Sequence, residues 1–278
     1  MTHPPTTQAP EASEAPRKAA RLALACLDLT SLNDADTEAD ITRLCVRAHG
    51  PHGPPAAVCV WPRLAALARR EAPASVAVAA VANFPDGSLD VARVGREVGQ
   101  IVQAGAQEVD VVLPWRALLA GDERGCAAVL EAARRACPGL TLKVILESGE
   151  LQEPSLVQRA GELALQAGAD FLKTSTGKTR HGATPEAART MLALLAGQAR
   201  STGRLGGFKA SGGVRTVCGA ALYMDLVAQA LGEAALAPAH FRLGASSLLD
   251  DIEAVLAWPA GLPYPRASAI PGEGASRY

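Results

Sequence analysis

Two hydrophobic rhythms alternate along the chain. Short apolar runs bounded by polar or glycine positions recur near residues 22–28, 56–61, 75–83, 107–113, 140–147, 170–175, 205–210 and 241–245. Between and after them, apolar positions recur at helical spacing over 37–49, 62–71, 88–104, 122–137, 153–168, 184–200, 214–232 and 247–257. Runs of the first kind predict buried strands and those of the second predict amphipathic helices. Strand and helix in strict alternation imply a parallel sheet, and eight such units predict a single α/β domain of the (β/α)8 TIM-barrel class over residues 16–259. A doubly wound open sheet is the alternative, disfavoured because no Gly-x-Gly-x-x-Gly turn follows the first strand. Residues 1–15, rich in Pro, Ala, Thr and Glu, predict a disordered leader, and residues 260–278, rich in Pro, Gly, Ala and Ser, a flexible tail.

Composition narrows the function. With 278 residues, 49% of them hydrophobic, the chain can bury a large core. Its net charge of -1 argues against a nucleic-acid or membrane surface as partner. The apolar runs fall short of the roughly 18 residues that a membrane span needs, and the N-terminus lacks a signal-peptide core. Six cysteines (Cys26, Cys45, Cys59, Cys126, Cys137 and Cys218) form no Cys-x-x-Cys pair and read as reduced core residues of a cytoplasmic protein. The five histidines show no zinc-ligand spacing, so no metal is expected.

Lysine usage points to chemistry. Only Lys18, Lys143, Lys173, Lys178 and Lys209 are lysines among 27 basic residues. Arginine serves wherever charge alone is needed but cannot act as an amine nucleophile, so the lysines that remain mark positions where an amine is wanted. Lys143, Lys173 and Lys209 each sit in a strand-like run, where burial is costly unless the charge is paired or used. Side-chain alternation puts Glu108, Asp110 and Val112 on one strand face and Phe171, Lys173 and Ser175 on another. If those faces point inward, two lysines and a carboxylate meet in the barrel mouth, where barrel enzymes gather their catalytic groups. Asp28, at the close of the first strand, and Lys143 join the candidates, with a structural ion pair as the competing reading for each. Cys59 reads as core. Glycine-rich segments after the seventh and eighth strands predict an anion site from Gly212, Gly213 and Val214 at a helix start and from Gly244, Ser246 and Ser247, with Lys178 and Arg215 adding charge.

These segments carry a resemblance. Leu27-Asp28-Leu29-Thr30, Glu108-Val109-Asp110-Val111-Val112, Leu142 to Glu147, Leu172-Lys173-Thr174-Ser175-Thr176-Gly177, Lys209-Ala210-Ser211-Gly212-Gly213-Val214-Arg215 and Gly244-Ala245-Ser246-Ser247 together resemble the deoxyribose-phosphate aldolases. The resemblance covers Leu27 to Leu249. One departure is that longer family members often have proline where Ala210 or Ser211 stands. The resemblance implies a cofactor-free class I lyase acting on phosphosugar and aldehyde substrates, with Lys173 as the Schiff-base amine, Asp110 and Lys209 handling protons, and Gly177 in the phosphate site. It leaves a homodimer open as the assembly. Another Schiff-base aldolase of transaldolase type and a catalytically silent phosphosugar-binding barrel are the alternatives. The longer members further suggest that a terminal tyrosine, here Tyr278, reaches the site to assist proton transfer, and 19 extended residues span up to about 60 Å.

Overall fold

Both faces of a strand in a barrel are covered, one by the interior and one by the ring of helices, so such a strand reads as a nearly continuous apolar run. The computed structural model, which describes residues 14–259, shows this arrangement. In chain order it contains α1 (Glu14–Ala25), β1 (Leu27–Thr30), α2 (Glu38–Arg47), β2 (Ala57–Val60), α3 (Pro62–Glu71), β3 (Ala77–Ala82), α4 (Val91–Gln103), β4 (Glu108–Val112), α5 (Trp115–Leu119) and α6 (Glu123–Ala136). There follow β5 (Thr141–Ile145), α7 (Ser148–Leu151), α8 (Pro154–Gln166), β6 (Phe171–Lys173), α9 (Pro185–Thr202), β7 (Gly207–Ser211), α10 (Val217–Leu231), a 3-10 turn (Glu233–Ala235), β8 (Phe241–Ala245) and α11 (Leu248–Ala257). All eight strands are parallel and pair in chain order, and β8 closes on β1 with Leu243 opposite Leu27. The result is a closed (β/α)8 barrel.

Helix starts follow local chemistry. Thr37, Asp90, Asp122, Thr184 and Thr216 each accept a hydrogen bond from a backbone N–H of the first turn. Pro62, Pro154 and Pro185 occupy first helical positions, where no N–H is needed.

Several expectations change. Residues 22–25, read as the beginning of the first strand, are the last turn of α1, which buries Ala20, Ala23 and Leu24 and packs against α10 and α11. Helix and strand abut there in one apolar run, and periodicity cannot divide it. Asp28 is therefore the second residue of β1 and does not close it. The helix expected from 214 starts at Val217, after a loop. Apart from Glu14 and Ala15, which open α1, the expected leader and the tail 260–278 lie outside the described residues. Five cysteines are buried, but Cys218 is exposed on α10. Among the described residues no helix is long and apolar enough to cross a membrane.

Two glycines make room inside the barrel. A Cβ on Gly207 would overlap the ring of Phe171, and one on Gly244 would lie 2.9 Å from Lys209 Cε and 2.8 Å from Ser211 Cβ. Gly207→Ala gains about 0.4–1 kcal/mol by stiffening the unfolded chain. Overpacking against a buried ring costs about 1–3 kcal/mol. The overlap should win, lowering the urea midpoint with an unchanged slope. An unchanged or higher midpoint would contradict this account of the interior.

Candidate active site

Strand register brings the predicted residues together. Asp110 pairs with Lys143 across β4 and β5, Lys173 with Lys209 across β6 and β7, and Lys209 with Arg242 across β7 and β8. Pairing fixes height in the barrel, and alternation then turns all these side chains inward. Their contacts confirm it. Asp110 accepts from Lys143 Nζ through Oδ1 at 2.8 Å, and from Lys173 Nζ and Lys209 Nζ through Oδ2, each at 2.8 Å. Asp28 accepts from Lys209 Nζ at 2.5 Å and from Arg242 at 2.6 Å, with Lys143 Nζ 3.5 Å away. Glu108 accepts from Lys143 Nζ at 2.5 Å and from Arg242 at 2.7 Å.

Of the expected residues, only Lys173 ends its strand. Asp28, Asp110, Lys143 and Lys209 lie within theirs. Lys173 is 2% exposed, whereas Lys143 and Lys209 are fully enclosed. Among the described residues its one carboxylate partner is Asp110, while Lys143 has three and Lys209 two.

The expected anion loops stand on the same, C-terminal, face. Gly212 and Gly213 follow β7 with φ of 85° and 87°, a left-handed backbone that favours glycine. Val214 and Arg215 continue this loop toward the cap Thr216. Two amides of the first turn of α10 are already committed: Val217 N donates to Asp251 at 2.6 Å and Gly219 N to Thr216 at 3.1 Å. Any anion there would meet loop amides rather than a helix start. Ser246 and Ser247 lead into α11. Gly244 belongs to β8, where its missing side chain leaves space for Lys209. Gly177 and Lys178 lie on the loop after β6, which is fastened to β7 by Ala183 N donating to Gly212 O at 3.0 Å and by Thr174 Oγ1 donating to Ser211 O at 2.9 Å. Lys178 Nζ is 3.6 Å from Asp34 of the loop after β1. Tyr278 lies outside the described residues.

Comparison with known proteins gives the family. The description "DeoC/LacD family aldolase" matches residues 22–254. The chain belongs to the DeoC/LacD family of aldolases. A deoxyribose-phosphate aldolase of Agrobacterium fabrum is 45% identical over 245 residues, covering 87% of this chain and 93% of that protein. A solved Toxoplasma gondii protein, put forward as a deoxyribose-phosphate aldolase, superposes with a TM-score of 0.80 at 25% identity, over 88% of this chain and 96% of that one. A tetrameric deoxyribose phosphate aldolase from Aeropyrum pernix gives 0.65 at 25% identity, over 91% and 99%.

Electrostatics in this aldolase separates the three lysines. Burial disfavours every ammonium, and neighbouring carboxylates oppose it. For Lys209, Asp110 and Asp28 outweigh burial and hold the amine well above its ordinary value. For Lys143, Asp110, Glu108 and Asp28 do the same. For Lys173, burial together with the charge of Lys209 outweighs Asp110, and its pKa falls. Asp110 itself is held well below the usual carboxylate range: burial pushes it up, but Lys143, Lys173 and Lys209 prevail. The Cys59 thiol is raised, by burial first and then by Asp110, so this buried residue stays a thiol beside the lysines.

Sequence reasoning gave no role to Glu108 and passed over Arg242. An argument from amine nucleophiles discounts arginine, yet a guanidinium in the middle of an apolar strand is as expensive to bury as an ammonium. That signal was available at Phe241-Arg242-Leu243.

Lys209→Met removes a positive charge near Lys173 and leaves Asp110 more fully paired with it. Both changes raise the Lys173 pKa. Reductive alkylation of Lys173 by acetaldehyde and borohydride, which requires the neutral amine, should then reach its midpoint at higher pH than in the parent. A midpoint that stays put or moves to lower pH would show that Lys209 does not set the titration.

Proposed function

We propose that this aldolase reversibly cleaves 2-deoxy-D-ribose 5-phosphate to D-glyceraldehyde 3-phosphate and acetaldehyde through a Schiff base on Lys173. The carrying observation is that Lys173, alone among three buried lysines, has its pKa lowered, while standing at the mouth-side end of its strand. An amine attacks a carbonyl only when neutral.

The sequence of bonds follows. Lys173 Nζ adds to the C1 aldehyde, and loss of water leaves an iminium. The C2–C3 bond then breaks, its electron pair flowing toward nitrogen to give an enamine, while the C3 hydroxyl loses its proton to Asp110 through a water. Glyceraldehyde 3-phosphate departs. Protonation at C2 and hydrolysis of the new iminium release acetaldehyde and return the amine. At rest Asp110 is a weak base because three cations surround it. As the bond breaks, the positive charge on nitrogen disappears, so the carboxylate gains basicity as the proton arrives. Lys209 holds Asp110 in place and shares the proton transfers, whereas Asp28 and Lys143 fix Lys209 and Asp110 through the contacts described above. In this proposal the amides of Gly212, Gly213 and Val214, the Ser246–Ser247 segment, Gly177, Lys178 and Arg215 take the phosphate. Tyr278 is retained as an assistant to proton transfer at C2. A cytoplasmic homodimer completes the reading, supported by six free cysteines and by exposed apolar Leu89, Val91 and Leu119.

Trapping with acetaldehyde and borohydride should place a stable adduct on Lys173. Lys173→Arg should keep the fold and lose both adduct and turnover, because a guanidinium carries the charge but forms no imine. An adduct on another lysine with normal turnover would overturn the assignment. Asp110→Asn should still form the adduct while cleavage slows by about two to four orders of magnitude. Cleavage near the parent rate would move the base elsewhere, with Asp28 the next candidate.

A further inference from the structure

Another buried carboxylate lies on the C-terminal face, outside the lysine cluster. Glu147 stands two residues past β5 and is fully enclosed. Its backbone is left-handed, with φ 54° and ψ 51°, a conformation costly for a residue with a side chain and kept only where the surroundings impose it. The surroundings here are the loop after β6. Glu147 Oε1 accepts from Thr176 N at 3.2 Å, and Oε2 accepts from Thr176 Oγ1 at 2.5 Å, while Thr179 Oγ1, 3.3 Å from Oε1, divides its one proton between Glu147 and His181 O at 3.2 Å. The following residue, Ser148, donates its N–H to Thr174 O at 2.9 Å.

One of these bonds reaches further. The Thr176 hydroxyl has a single proton, and it is donated in the hydrogen bond to Glu147. Its oxygen is thereby left to accept the backbone N–H of Lys178, at 3.0 Å. A continuous chain therefore runs from the Glu147 carboxylate through the Thr176 hydroxyl to the Lys178 backbone, and hydrogen bonds in such a chain strengthen one another. Among the described residues, the donors to the Glu147 carboxylate all belong to this loop.

We propose that Glu147 is a positioning residue that acts through Thr176 to hold Gly177 and Lys178 where the substrate phosphate is bound. The proposal rests on the phosphate reading given above. It assigns Glu147 to recognition of the phosphorylated end of the substrate rather than to the chemistry at Lys173, which it does not touch.

Glu147→Gln keeps the volume but places an NH2 where one oxygen accepted. The first measurement is calorimetry of inorganic phosphate binding to the full-length parent and variant. The second is cleavage of 2-deoxyribose 5-phosphate and of unphosphorylated 2-deoxyribose. Phosphate affinity should weaken by about tenfold or more, KM for the phosphorylated sugar should rise by a similar factor, and its kcat should stay within about threefold. Cleavage of the unphosphorylated sugar and adduct formation with acetaldehyde should not change. Equal losses on both sugars, or undiminished phosphate affinity, would overturn the proposal, since a merely structural residue makes no distinction between them. Thr176→Val leaves the carboxylate and removes only the hydroxyl link, so it should reproduce the same split and stands in if Glu147→Gln does not fold. A parent enzyme that binds phosphate but cleaves neither sugar would refute the proposed deoxyribose 5-phosphate cleavage while calorimetry still reports on Glu147.

Discussion

Asp110 shares one carboxylate among three ammonium groups, with Lys143, Lys173 and Lys209 all 2.8 Å away. Burying charge is expensive, and mutual attraction repays the cost only when every member is matched. Four cations, counting Arg242, face three carboxylates here. One positive charge is in excess, and release of one proton makes the cluster neutral. The proton leaves most easily from the nitrogen with the fewest carboxylate partners, which is that of Lys173. Reactivity is thus selected by the arrangement of its neighbours, since Lys143 and Lys209 are the same residue type on adjoining strands.

The fold supplies what this arrangement needs. A closed barrel fixes the relative height of residues on neighbouring strands, so register alone sets Asp110 beside Lys143 and Lys173 beside Lys209. Glycine supplies the width: Gly244 leaves space for the Lys209 stem, and Gly207 for the Phe171 ring, over which the Arg242 guanidinium lies 5.7 Å from the ring centre. Where many barrels fill the interior with branched apolar side chains, this one carries a layer of charge.

Much of this was legible in the chain. The eight alternations predict the barrel because most strand runs are bounded by polar or glycine positions, and β4, β5 and β8 fall close to where the pattern puts them. Lys143, Lys173, Lys209 and Asp110 stand out because charge inside an apolar run is costly enough to demand a reason. Other features were hidden for physical reasons. The end of α1 and the start of β1 share one apolar run, so no change of period separates them. The elements α5 and α7 are too short to show a period at all. The part played by Glu108 and Arg242 depends on which strands become neighbours when the sheet closes, and nothing local records that. Glu147 was visible as the end of a strand motif, but its partners Thr176 and Thr179 come from the loop after the next strand.

The central claim is that charge balance around Asp110 lowers the pKa of Lys173 while raising those of Lys143 and Lys209. NMR titration of the full-length protein labelled at lysine Cε, with signals assigned by substitution, reads all three amines separately. The account predicts that Lys173 titrates below the ordinary lysine value of about 10.4, and that Lys143 and Lys209 titrate above it. A Lys173 signal titrating at or above that of either neighbour would contradict it.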